Sequence, residues 1–351
     1  MATAATMSSS PITQVSQVPT QAHLQPPLLT RLSLDLRGKR FSVDRETIMN
    51  LPESVLLCLF PNGLVLSRQS VALTGTDTGD NSEEEELYGV DFDPECFSYV
   101  LQFFRTAQDA FYGTETSPGL LSFQQHLLSP TDGHPSSPNE YGGSSGSQNP
   151  LLSKQAIIVL REELEYFSIP PKDQAGNLDG TISAQKIGTD ASGLANAGLQ
   201  ELKKMCGNYL LDKKNIFTAL QRNVNKENNI AEQHLIDMLC MSGFDRDDEW
   251  GYRALEPSRC CISSIALVLL KTGITHSTSA TGERDVKVDY SQMGTAQKLL
   301  LFWRKPARKC WWDGIQVDDL KPASEGPDAL TGLTNVKLWA RRVWTLELSL
   351  V

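Results

Sequence analysis

The sequence is short of the positive charge that a general polyanion binder needs. Its 32 Lys and Arg are outnumbered by 42 Asp and Glu, and the net charge of −10 over 351 residues has the wrong sign for neutralising phosphates or anionic membrane. It has no Cys-x-x-Cys pair and no two His at ligand spacing, so neither a structural metal nor a cofactor is expected. The longest apolar stretch, Ile262 to Leu270, contains two serines and falls far short of the roughly 20 residues that span a bilayer. No Lys or Arg precedes Arg31, which predicts neither a secretory signal nor a presequence. Ala2 in place of glycine excludes N-myristoylation. The 7 cysteines, an odd number, fit a reduced compartment, and a cytoplasmic location is expected.

What is present divides the chain. Residues 1–29 are rich in Ala, Thr, Ser, Gln and Pro and are expected to form a disordered tail. From Leu32, apolar and polar residues alternate through Leu34 and Leu36; a turn at Gly38-Lys39 and resumed alternation at Phe41 and Val43 predict a strand pair. Ile48, Leu51, Val55 and Leu59 follow in helical steps up to Pro61-Asn62-Gly63. Residues 76–86 carry Asp77, Asp80 and the run Glu83 to Glu86 and read as a solvated acidic insertion. Asp93-Pro94 then opens a helix, with Phe97, Val100, Leu101 and Phe104 on one side and Tyr99 and Phe103 beside them. Gly, Ser and Pro make up half of residues 113–150, a second expected disordered insertion.

Leu151 to Phe167 reads as a helix, ended by Pro170-Pro171. Residues 172–198 read as a linker, and 199–351 as a smaller second domain. Its first part, around Leu202 to Leu220 and Ala231 to Met241, has helical spacing. Ile262–Leu270, Leu299–Trp303 and Cys310–Val317 have a β texture, and Trp344, Leu346, Leu348 and Leu350 alternate cleanly. The predicted fold class is α+β throughout.

Three segments resemble the BTB/POZ fold of the potassium-channel tetramerisation-domain type. They are LSLDLRGKRFSVDRETIMNLPESVLLCLFP at the start, VDFDPECFSYVLQFFRTA in the middle and LREELEYFSIPP at the close, and together they place this domain over 30–171. With the segment from LQELKKMCGNYLL onward, the chain resembles the fungal general-stress-response phosphatase-activator family of the yeast growth-regulator type. That resemblance implies a non-enzymatic adaptor that holds and activates an aspartate-dependent phosphatase, dampens nutrient-driven TOR signalling, and meets membrane only through its partner. BTB modules also imply self-association. They imply a rival role as well, that of substrate receptor for a cullin-based ubiquitin ligase.

Other motifs bear on chemistry. Cys240 to Arg246 has the Cys-x5-Arg spacing of a cysteine phosphatase, but Cys240 falls at the end of a helical pattern with Gly243 as its cap. The helix dipole there disfavours a thiolate. Asp91-Phe92-Asp93 matches part of the nucleophile loop of aspartate-dependent phosphatases; Glu95 stands where Thr or Val is needed, and the same residues serve as loop and helix cap. Arg304, Lys305, Arg308 and Lys309 interleave with Trp303, Trp311 and Trp312. A hairpin with a basic tip at Pro306-Ala307 gives that pattern without nucleic acid, and such a tip could dock an acidic partner or the acidic insertion. Ser-Pro pairs at Ser10, Ser117, Ser129 and Ser137 are candidate phosphorylation sites. The candidate partner-binding residues are therefore Asp91, Asp93, Tyr99, Phe103, Arg105, Arg304, Lys305, Arg308 and Lys309, and no residue is assigned to catalysis.

Overall fold

A computed structural model describes residues 30–64, 87–127, 149–169, 187, 189, 192–227, 229–278, 284–321 and 335–351. The expected N-terminal tail and acidic insertion lie outside them, as do most of the second insertion and linker, and Ser10, Ser129 and Ser137.

The chain opens with β1 (Arg31–Leu36) and β2 (Lys39–Asp44), joined by a two-residue turn at Arg37-Gly38. Both turn residues have positive φ, 49° at Arg37 and 92° at Gly38, which matches the right-handed twist of the flanking strands. Asp35 stabilises the turn by accepting a 2.7 Å hydrogen bond from the Gly38 amide. The helical pattern that follows is two helices, α1 (Arg45–Met49) and α2 (Glu53–Leu59); Pro52, which lacks an amide hydrogen, divides them. Strand β3 (Leu87–Val90) pairs parallel with β1, giving the order β2-β1-β3. Helix α3 (Pro94–Tyr112) starts as predicted, with Asp93 accepting from the amides of Glu95 and Cys96 at 2.8 and 3.0 Å.

Residues 113–127, expected within a disordered insertion, instead form the short hairpin β4 (Gly113–Thr114) and β5 (Ser117–Pro118), then α4 (Leu120–Gln124). The hairpin depends on glycine. A Cβ at Gly113 would lie 2.5 Å from the Gly119 nitrogen, and one at Gly119 would lie 2.2 Å from the Gly113 nitrogen.

Leu151–Phe167, read as a helix, is the largest correction. It contains β6 (Ala156–Ile169), the central strand of a five-stranded sheet. After it come α5 (Ala197–Leu211), α6 (Thr218–Glu227) and α7 (Ile230–Ser242), then β7 (Tyr252–Leu255) and β8 (Cys261–Leu269). A small hairpin of β9 (Ile274–Thr278) and β10 (Arg284–Val288) precedes α8 (Tyr290–Trp303), and β11 (Ala307–Val317) and β12 (Val336–Leu350) complete the chain. Leu299–Trp303, read as β, thus closes α8. Asp289 caps that helix through the Ser291 and Gln292 amides, and Leu299 and Trp303 share its buried side while Leu301 and Phe302 are exposed. The predicted hairpin at Pro306-Ala307 is accordingly a helix-to-strand junction.

The sheet runs β11-β12-β6-β8-β7, with its named neighbours antiparallel. Period-two alternation gives it two faces. On one, Ile157 and Val159 of β6, Ile265 and Leu267 of β8, and Val351 join the core of the first unit, with Leu32, Leu34, Leu36, Phe97 and Phe104. On the other, Ile158, Leu160, Trp344 and Leu346 pack with α6, α7 and α8 residues, and Leu164, Tyr166 and Leu338 with α5 residues. One sheet therefore serves both halves of the chain. The Tyr112 hydroxyl donates to the Val351 carbonyl at 2.9 Å, tying the end of α3 to the end of β12.

Candidate functional site

Three polar clusters flank the central sheet, two on one face and one on the other. The first lies where the β1–β2 turn and α3 meet β7 and β8. Arg37 reaches three carboxylates from this turn: its Nε donates to Asp91 at 2.7 Å, its Nη2 to Glu256 at 2.6 Å, and its Nη1 lies 3.8 Å from Asp93. Partial burial disfavours its charge, but the bonds to Asp91 and Glu256 outweigh that and lift its pKa above the ordinary value. Asp93 caps α3 and also hydrogen-bonds the Tyr252 hydroxyl, whose pKa is raised chiefly by burial and then by that bond. These residues border a cleft of about 250 Å³, lined also by Cys58, Cys96, Arg161, Glu163 and Cys261. Arg37 is already satisfied by three acids, so it has little capacity left for an anionic ligand. The cluster clamps the first unit to the sheet.

A second clamp lies farther along the same face. Glu347 accepts from the Ser54 amide at 3.1 and 3.2 Å and from the Ser54 hydroxyl, at the start of α2, while Arg161 donates to the Ser54 carbonyl at 2.8 Å. Burial pushes the Glu347 carboxyl up; the Ser54 hydrogen bonds and Arg161 offset only part of that.

The opposite face buries a charged chain. Glu162 accepts from Arg342 and Arg253 at 2.7 Å each and from Trp344 Nε1 at 3.1 Å. Arg342 Nε lies 4.0 Å from Asp313, which accepts from Arg222 at 3.0 Å. Burial alone would raise the Glu162 pKa, but Arg342, Arg253 and Trp344 together hold it below the usual carboxylate range. Trp344 is also the hub of an aromatic cluster, with ring centroids 5.4 Å from Trp311, 5.9 Å from Trp250 and 6.4 Å from Phe217.

The residues singled out from sequence are not gathered in one place. Asp91 and Asp93 share the Arg37 cluster. Tyr99 and Phe103 pack inward against the first core, 6.5 Å apart, and the Tyr99 hydroxyl bonds the Leu267 backbone. Arg105 lies exposed on the far side of α3, beside a cleft of about 440 Å³. Arg304 and Lys305 are exposed in the junction after α8. Arg308 and Lys309 point to opposite faces of β11, and Lys309 pairs with Glu232 at 2.9 Å. Sequence reasoning passed over Arg37, Tyr252, Glu256, Glu162, Arg253 and Arg342. A turn was legible at Gly38-Lys39, but the structure sets it one residue earlier, at Arg37-Gly38; the other residues depend on strands far apart in the chain.

Four of the thiols are disfavoured as nucleophiles by a raised pKa. Burial pushes Cys96 and Cys206 up to about 12 and Cys261 up to about 11. Cys240 sits in the last turn of α7, and its pKa is raised first by burial and then, against Arg246, by Asp237, Asp245 and Asp248. Among the described residues, no cluster of three His, Cys, Asp or Glu could hold a metal, and no helix is long and apolar enough to cross a membrane.

Comparison with known proteins supplies what geometry cannot. No family model matches the chain. A WHI2-like protein of Schizosaccharomyces pombe is 32% identical, the match covering 97% of this chain and 96% of that protein. The chain belongs to the WHI2-like family. A second relative of this WHI2-like chain, named a growth regulation protein in Saccharomyces cerevisiae, is 27% identical over 91% of each chain. A third, an uncharacterised Schizosaccharomyces pombe protein, is 22% identical over 92% of this chain and 87% of its own. The relatives' lengths are spanned almost entirely. The names fit a fungal protein with a regulatory role in growth.

Proposed function

We propose that this chain is a non-enzymatic adaptor of growth and stress control that binds and activates an aspartate-dependent phosphatase and so restrains TOR signalling in the cytoplasm. The observation that carries the reading is near full-length similarity to a WHI2-like protein and a growth regulation protein. Two features support the adaptor reading: the most buried charges pair with one another, and burial holds the Cys96 and Cys261 thiols protonated. The β2-β1-β3 sheet with α1, α2 and α3 serves in this reading as a BTB/POZ-type module. It is fixed to the five-stranded sheet through Arg37, Ser54 and Tyr112, which makes the chain one platform.

Affinity purification of the full chain from nutrient-starved cells tests it. A co-purified phosphatase whose activity rises on adding back the chain supports the reading. Recovery of a cullin in its place would transfer the chain to the ubiquitin-ligase receptors, and turnover of p-nitrophenyl phosphate lost in Cys240→Ser would make it an enzyme.

A further inference from the structure

The face of the sheet that carries the first unit continues past that unit. Beyond the clefted stretch at Arg161 and Glu163, the same alternation brings Phe167 and Ile169 of β6, Trp339 and Arg341 of β12, and Arg308, Trp312 and Gln316 of β11 onto one surface. The register sets Trp312 beside Arg341, Trp339 beside Phe167 and Lys337 beside Ile169. Trp312, Phe167 and Trp339 are 55%, 52% and 50% exposed, and the Phe167 and Trp312 rings stand 5.9 Å apart. Three large aromatic side chains half-open on one sheet face form the kind of patch that marks a binding surface, and Trp is the residue type richest in interface energy.

Two features define the occupant. The patch borders β11, an eleven-residue edge strand with no proline in it, whose outer side pairs with no strand among the described residues. Long unprotected edges accept an added strand. Its charge is also opposite to that of the whole molecule: Arg308, Lys337 and Arg341 face outward, and among them only Arg341 has an ion-pair partner in the described residues, Glu165 at 2.9 Å. A second copy fits less well, because two-fold pairing of β11 about Trp312 would put Arg308 directly against Gln316 and bring only Asp318, diagonally and from beyond the strand's end, near that arginine.

We propose that the β11 edge and its Trp312–Phe167–Trp339 face bind an extended acidic segment of a partner protein. The segment adds a strand to β11, its acidic residues meet Arg308, Lys337 and Arg341, and an apolar residue covers Trp312. This inference does not depend on the partner being a phosphatase.

The probe is a fluorescein-labelled peptide of alternating glutamate and valine with one central phenylalanine, and its lysine-for-glutamate counterpart, titrated into the full chain by fluorescence polarisation. The glutamate peptide should bind, more weakly at high salt, and the lysine peptide about tenfold worse or less. Trp312→Ala and Arg308→Glu should each cost the glutamate peptide about tenfold. The double reversal Arg308→Glu/Lys337→Glu should shift preference to the lysine peptide, a gain that an unfolded variant cannot give. Equal binding of the two peptides, no binding, or indifference to these substitutions overturns the proposal. So does a dimer in sedimentation that Trp312→Ala dissolves, which gives the surface to a second copy. Tighter peptide binding when Asp77, Asp80 and Glu83 to Glu86 are neutralised also overturns it, by assigning the surface to this chain's own acidic run.

Discussion

Replacing Glu162 by glutamine tests the buried charges directly. Glu162 is 1% exposed and accepts from two guanidiniums whose side chains are 5% and 7% exposed, at 2.7 Å each. Charges so placed recover their lost hydration chiefly through one another, with Trp344, Ser264 and the Leu210 carbonyl adding neutral bonds, and removing one charged partner typically costs about 3–5 kcal/mol. The side-chain amide in Glu162→Gln would keep an acceptor for Trp344 Nε1 and for one arginine, so the expected loss is near the lower end, about 3 kcal/mol. Against a total stability of about 5–15 kcal/mol, that is large. Denaturant unfolding followed by tryptophan fluorescence reads it, with Trp344 itself a reporter. Because the folded pKa of Glu162 is lowered, its contribution is fully present above the unfolded carboxylate value of about 4.3 and is lost as pH falls through the folded value. Glu162→Gln should therefore flatten the acid limb of the stability curve. Substituting Glu162, Arg253 and Arg342 together by apolar residues should cost less than Glu162→Gln alone, since no charge is then stranded. A loss below about 1 kcal/mol for Glu162→Gln, far under the range for a broken buried pair, or an acid limb as steep as the parent's, would refute the reasoning.

Other substitutions probe the packing. A Cβ at Gly207 in α5 would lie 2.5 Å from the Tyr166 hydroxyl and 2.9 Å from Leu255, so Gly207→Ala should destabilise by about 1–3 kcal/mol; Gly294→Ala in α8 meets nothing within 4 Å and should stabilise by about 0.5–1 kcal/mol, both read by denaturant midpoint. Phe97 is fully buried, edge-on to Phe41 at 5.1 Å, and Phe97→Ala should cost about 3–5 kcal/mol in the same assay. In native-state alkylation followed by mass spectrometry, exposed Cys310 should react first and Cys96, Cys206 and Cys261 last; early labelling of Cys96 would show that the first core opens readily. Glu347, whose folded pKa is raised, should give the opposite acid behaviour to Glu162. Stability gains as pH falls through its folded value, and Glu347→Gln should abolish that gain in a pH series of unfolding curves.

Elements whose signal is local were legible in the sequence. The β1–β2 hairpin follows from alternation on either side of Gly38, α3 from Asp93-Pro94 and its apolar stripe, and β12 from the alternation of Trp344, Leu346, Leu348 and Leu350. In β6, tertiary structure overrode the local pattern. Ala156 to Leu160 is buried on both faces and so shows no alternation, and farther on Leu160 and Leu164 stand four apart because the buried position between them is Glu162. An acid on the inner face of a strand leaves a helical spacing of leucines. Only Arg253 from β7 and Arg342 from β12, 91 and 180 residues away, make that burial tolerable. The Arg37 clamp follows the same logic: a turn beside the arginine was readable at Gly38-Lys39, though not that Arg37 itself is a turn residue, and Glu256, 219 residues on, became its partner only when β7 and β8 packed under α3. Backbone preference and hydrophobic period act over a few residues and can be read from the sequence. Compensation between buried charges acts across strands that only the completed sheet brings together.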